Sequence, residues 1–314
     1  MPIRQQITKR ILDSTPGKSV VSSSKKVYLP GFDGMSVFQV WSPFMRQLRK
    51  TNMVERASGI SFSVVMAIPP TLLFIFTLVP FLPISTQLIN ELFSLIRDIV
   101  PGQKNNSVVI DFLNDFINNP RNGLLSFGLL LSIYFSSNAM MGILRAFDKN
   151  YPGFAKRKFW KKRLVAFQLT LTSFVLIALC LTLIIAQGAV LTWAGLEDSL
   201  WVTFIHYFRW VLVVLLSFYI VAFIYRHGPA VAKKWPMLTP GSVLATGMMV
   251  MATALVTWWV NNFSNYNKLY GSISAILILM SLIYVNALAV LVGFELNVTL
   301  SNLREEKHLV PIAT

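Results

Sequence analysis

Six apolar runs divide the chain, at roughly 59–83, 123–147, 164–193, 202–225, 241–262 and 272–296. Each reaches the roughly 20 residues of helix that cross a bilayer, so each predicts a transmembrane helix. The third is the longest and must tilt or protrude. Ahead of the first run, Val37, Phe38, Trp41, Phe44, Met45 and Leu48 recur at helical spacing, with Arg46, Arg49 and Lys50 alongside. This predicts an amphipathic helix, either lying in the membrane interface or packed under the bundle. The segment 84–122 carries one apolar face from Leu88 to Val100, closed by Pro101-Gly102, and a shorter one from Val109 to Ile117. Two amphipathic external helices are expected there. Loop 194–201 is short and acidic, and no inverted repeat relates the two halves.

Composition agrees with this patterning. The 314 residues are 54% hydrophobic and 13% charged, where a soluble domain has about 25% charged residues. The expected class is an all-α polytopic membrane protein. Its plan is a basic tail over 1–35, a six-helix domain with its interfacial helix over 36–302, and a C-terminal tail over 303–314. The tail shows Lys and Ser clusters but no apolar core before Gly59, so the first span is expected to act as a retained targeting signal. The single Cys180 lies within an apolar run and reads as a packing residue.

The formal net charge of +15 raises the question of nucleic acid, and the distribution answers it. Of 28 Lys and Arg, 23 fall in 1–56, 145–163, 226–234 and the C-terminal tail; the alternate loops hold 4, and Arg209 lies within the fourth run. This is the positive-inside pattern, which predicts that both termini are cytoplasmic. The expected partners are membrane lipids, through anionic headgroups at that face. No aromatic-rich reading surface accompanies the charge, so nucleic-acid binding is not expected.

Polar chemistry inside the runs is sparse. Pro69 and Pro70 lack the amide protons that would meet the carbonyls of Val65 and Met66. An unsatisfied carbonyl in hydrocarbon costs several kcal/mol, so a broken first helix facing other helices or water is expected. It reads as a discontinuous helix lining a cavity, or as a static kink. In the second run Gly128, Ser132, Ala139 and Gly142 form a seam for close helix approach, and Leu131, Asn138 and Arg145 form another row. Arg209 with His206 sits near the external end of the fourth run, where snorkelling accounts for the arginine.

The sixth run opens Tyr270-Gly271-Ser272-Ile273-Ser274 and closes Gly293-Phe294-Glu295-Leu296-Asn297. Ser274, Ser281 and Glu295 share one face; Asn286, Gly293 and Asn297 share the opposite one. Neither face suits lipid, so this helix is expected to be central. Glu295 needs a partner. Arg145 and Asp148 end the second helix at the same side, which suggests a Glu295–Arg145 pair acting as a clamp or an inner gate. The cavity or gate candidates are therefore Pro69, Pro70, Asn138, Arg145, Asp148, Tyr270, Gly271, Ser274, Asn286, Glu295 and Asn297.

The chain resembles the YihY/BrkB family of bacterial inner-membrane proteins, once labelled ribonuclease BN. The resemblance rests on Ala67-Ile68-Pro69-Pro70 through Pro80, Ser136-Ser137-Asn138 to Arg145-Ala146-Phe147, Tyr225-Arg226 with Pro229, and Pro240-Gly241. Tyr270-Gly271-Ser272 and Gly293-Phe294-Glu295-Leu296-Asn297 carry it most specifically. It implies a six-helix inner-membrane protein with cytoplasmic termini, and a suspicion of lipid or envelope-component transport.

Three function classes follow. A transporter without its own ATPase leads, since no P-loop occurs. A lipid path predicts a lateral opening between helices; a small-solute path predicts a closed aqueous cavity. The alternative is a scaffold that binds lipid or a partner protein. Ribonuclease activity is disfavoured: His206, His227 and His308 are far apart, and no His/Asp motif has metal-ligand spacing. No cofactor or metal is expected.

Overall fold

The structure is a computed structural model that describes residues 27–78, 122–148, 151, 154–155, 157–193, 200–231, 234–262 and 273–309. Seven helices form the described architecture: α1 (Val37–Lys50), α2 (Met53–Leu78), α3 (Asn122–Phe147), α4 (Phe159–Trp193), α5 (Leu200–His227), α6 (Pro240–Asn262) and α7 (Ile273–Leu309). Five of them, α3 to α7, contain stretches long and apolar enough to cross a membrane. The first expected run falls on α2, and its end beyond 78 lies outside the described residues, as do the external helices expected within 84–122.

Local chemistry sets the helix ends. Ser36 and Gln39 form a reciprocal capping box at the start of α1, and Arg49 and Lys50 occupy its last turn. Val40 and Phe44 turn the buried face of α1 toward Leu296 and Leu300 of α7, while Trp41 stays exposed. α1 therefore packs against the bundle through one face and leaves the other exposed. Thr239 and Ser242 cap α6 reciprocally: the Ser242 amide donates to Thr239 Oγ1 and the Thr239 amide donates to Ser242 Oγ.

α2 corrects one expectation. The helix runs unbroken through Pro69 and Pro70. Pro69 is exposed and Pro70 half-buried. One turn of polar support lies beside it: Thr71 Oγ1 donates to the Ala67 carbonyl at 2.7 Å and stands 3.4 Å from Ser136 Oγ on α3.

The central helix is α7, which packs against α1, α2, α3 and α6. Residues 293–300 are all buried, whereas Ile276, Leu277, Leu279 and Met280 are exposed. Burial on every side at one end of this helix marks where the core sits. That core gathers Phe147, Tyr225, Trp235, Leu291 and Phe294 where α3 and α5 end and α6 begins. Phe294 stacks on Phe147 at 4.0 Å between ring centroids, with Tyr151, Phe154, Tyr225 and Trp235 around it.

Candidate functional site

Two features at this end of the bundle carry the chemistry. The first is centred on Glu295. Its carboxylate, fully buried, accepts hydrogen bonds from Arg56 Nη1, from Tyr151 O–H at 2.6 Å and from Gln47 Nε2 at 3.0 Å. The Arg56 guanidinium also donates through Nη2 to the Ala146 carbonyl in the last turn of α3. One carboxylate thus joins α1, α2, α7 and the segment after α3. The expected Glu295–Arg145 pair is corrected: the partner is Arg56. Arg145 is exposed and makes no ion pair among the described residues. Burial, followed by the Glu295 charge and its hydrogen bond, raises the pKa of the Tyr151 phenol well above its ordinary value, which keeps it a donor.

The neighbours of Glu295 each use a different direction. Gly293 meets Gly241 of α6 backbone to backbone; a Cβ on either would overlap the other's carbonyl oxygen. Phe294 fills the aromatic core, and Leu296 joins the cluster beneath α1. Asn297 accepts from the Gly241 amide at 3.0 Å and donates to Thr239 Oγ1 at 3.0 Å, completing the start of α6. The five-residue motif is specific because five packing and hydrogen-bonding demands fall on consecutive positions.

The second feature is an open groove of about 740 Å³ between α2 and α3. α2 contributes Glu55, Arg56, Gly59, Phe62, Ser63 and Met66, and α3 contributes Phe135, Asn138, Gly142, Arg145 and Ala146. Both sets follow helical spacing, so each is one stripe of its helix. The helices run antiparallel: Gly142 abuts Ser63, while Ser136 lies by Thr71. Glu55, Arg56 and Arg145 therefore share one end, and Phe62, Met66 and Phe135 form the wall beyond it.

The remaining candidates separate. Asn138 lines the groove and accepts a hydrogen bond from Arg163 of α4, whose guanidinium lies 5.0 Å over the Tyr134 ring. Asp148 pairs with Lys162, tying α3 to α4. Asn286 donates to the Leu282 carbonyl of its own helix and leaves its buried Oδ1 without a partner among the described residues. Tyr270 and Gly271 lie outside the described residues, as does the side chain of Ser274. Neither proline lines the groove. Gln47, Arg56 and Tyr151 were missed by the sequence reading. Arg56 sits three positions before the first apolar run, where it reads only as a topology charge. Among the described residues no group of three or more His, Cys, Asp or Glu side chains is placed to hold a metal ion.

Comparison with known proteins adds the following. The family described as "Virulence factor BrkB" matches residues 44–311. The chain is 27% identical over 253 residues to YfkH of Bacillus subtilis (strain 168), a protein named as ribonuclease-like; the match covers 78% of this chain and 89% of that protein. A UPF0761 membrane protein of Stenotrophomonas maltophilia (strain K279a) is 29% identical over 91 residues, covering 29% of this chain and 22% of its own. Another, of Xanthomonas campestris pv. campestris (strain B100), is 32% identical over 98 residues, covering 31% of this chain and 23% of its own. The chain thus spans most of the Bacillus protein but under a quarter of the two UPF0761 relatives. No solved structure matches.

Proposed function

This chain belongs to the BrkB family of integral membrane proteins, and from that premise we propose that it is a translocator of an amphiphile, working through the α2–α3 groove without an ATPase of its own. The observation that carries this reading is the groove. Its volume of about 740 Å³ lies in the range of ligand sites, roughly 300–1,000 Å³. It is open along its side, as a lipid path requires, and is not the closed aqueous cavity that a small solute would need. Phe62 and Met66, 67% and 44% exposed, line an apolar wall that leads away from the charged end. The inner-membrane location with cytoplasmic termini belongs to the same reading and draws on the charge asymmetry of the loops.

The test is reconstitution of the full chain in liposomes with a fluorescent lipid quenched from outside. Wild-type protein should accelerate exchange between leaflets, and Met66→Trp, which fills the groove, should slow it. Exchange no faster than in protein-free liposomes would overturn the reading. A scaffold that binds lipid or a partner without moving it is the second reading, favoured by the continuity of α2 through Pro69 and Pro70.

A further inference from the structure

We propose that the α2–α3 groove selects the headgroup of a zwitterionic amino-phospholipid, with the phosphate against Arg145 and the ammonium against Glu55. This rests on the groove being the amphiphile path and adds to it the class of molecule carried.

Charge at the groove's polar end is the first ground. Three charged side chains line it: Glu55, Arg56 and Arg145. Arg56 is committed, since its guanidinium is held by Glu295 and the Ala146 carbonyl. That leaves one cation and one carboxylate. Both are exposed, and no ion pair joins them. Glu55 accepts only from the Asn52 amide group at 3.2 Å, through Oε2, among the described residues. Since Arg56 touches Ala146, the adjoining residues Glu55 and Arg145 stand at the same end of the groove. A net-neutral site with separated charges matches a net-neutral ligand with separated charges. A purely anionic headgroup would satisfy Arg145 and meet repulsion from Glu55.

Depth is the second ground. Glu55 lies in the first turn of α2 and Arg145 in the last turn of α3. Charges at helix ends cost least because they sit at headgroup level. Phe62 and Met66 lie 7 and 11 residues further along α2, about 10 and 16 Å deeper at 1.5 Å per residue. An amphiphile whose head meets the charged end would therefore lay its acyl chains along the apolar wall.

The ammonium must also be primary. Glu55 offers oxygen acceptors, and charge-assisted hydrogen bonds need an N–H donor. A trimethylated ammonium has none.

The experiment measures retention of three lipids of the same acyl composition by the full-length protein in detergent, using native mass spectrometry. The lipids are phosphatidylethanolamine, phosphatidylcholine and phosphatidylglycerol. Wild type should retain phosphatidylethanolamine about two- to fivefold better than either other lipid, the upper range for one exposed charge-assisted contact. Arg145→Gln should weaken all three. Glu55→Gln should remove the preference for the ethanolamine lipid and improve retention of the glycerol lipid. Both side chains are exposed, so neither substitution empties the core. Equal retention of all three lipids by wild type, or a preference unchanged in Glu55→Gln, overturns the inference. So does displacement of the lipid by an equal concentration of glycerophosphoethanolamine, which carries the headgroup without the tails. Selective retention without leaflet exchange would keep this inference and defeat translocation; exchange without headgroup preference would do the reverse.

Discussion

Arg56 and Glu295 stand 239 positions apart in the chain and form a buried ion pair, their side chains 6% and 0% exposed. Their attachments, to Ala146 on one side and to Gln47 and Tyr151 on the other, join four parts of the fold at one carboxylate. Removing one partner of such a pair strands the other charge in the core, at about 3–5 kcal/mol. Glu295→Gln and Arg56→Gln should each lower the thermal midpoint of the detergent-solubilised protein by several degrees. The double replacement Arg56→Met with Glu295→Leu should regain part of the loss, since it leaves no orphan charge, although it still strands the Gln47 and Tyr151 donors and the Ala146 carbonyl. A double variant less stable than both singles would contradict this account of the joint.

The contact between Gly241 and Gly293 makes a sharper prediction. A methyl group on either meets backbone oxygen, which cannot rotate away. Gly241→Ala and Gly293→Ala should each destabilise by about 1–3 kcal/mol, the usual cost of overpacking. Gly247, on the same helix, has nothing within 4 Å of an added Cβ. Gly247→Ala should be neutral or stabilising by up to about 1 kcal/mol, because alanine favours helix. Thermal unfolding of the three variants side by side checks the contrast.

The sequence reading and the structure agree where periodicity decides and part where pairing does. Each expected run coincides with a helix, because about 20 apolar residues in lipid have few alternatives. The central place of α7 was legible from its two polar faces. The partner of Glu295 was not. Arg56 and Arg145 both end helices at the same side, and only the rotation of α2 against α3 decides which reaches the carboxylate. The unbroken course of α2 was likewise out of reach, because proline chemistry gives the missing donors but not the geometry the helix keeps. The groove combines a row seen in the sequence, Asn138 and Arg145, with a stripe of α2 whose facing became visible only in three dimensions.

Asn297 should prove sensitive both to the loss of its hydrogen bonds and to a buried charge. Its side chain accepts from the first free amide of α6 and donates to Thr239 Oγ1. Asn297→Ala removes both bonds, and loss of such a helix-capping acceptor costs about 1–2 kcal/mol. Asn297→Asp keeps the acceptor but places a buried carboxylate beside Thr239, so it should also destabilise near neutral pH and recover on acidification. Thermal midpoints at about pH 5 and pH 8 separate the two variants; an Asp variant insensitive to pH would show that this side chain meets solvent.

Tyr151 gives the alkaline limb its own test. Its phenol is raised above the ordinary value near 10 by burial first and by Glu295 second. The unfolded chain would release this proton at about pH 10, while the folded chain holds it to higher pH. Above about pH 10 the folded state therefore binds more protons, and stability falls as pH rises. The contribution is complete below that point. Tyr151→Phe should cost about 1 kcal/mol at neutral pH, from the lost bond to Glu295. It should also lose stability less steeply than wild type between about pH 10 and 11. Lysine titration is common to both proteins and cancels in the difference. Thermal midpoints measured from about pH 7 to 11 would give parallel curves if the folded state did not hold the phenol proton, and converging curves if it does.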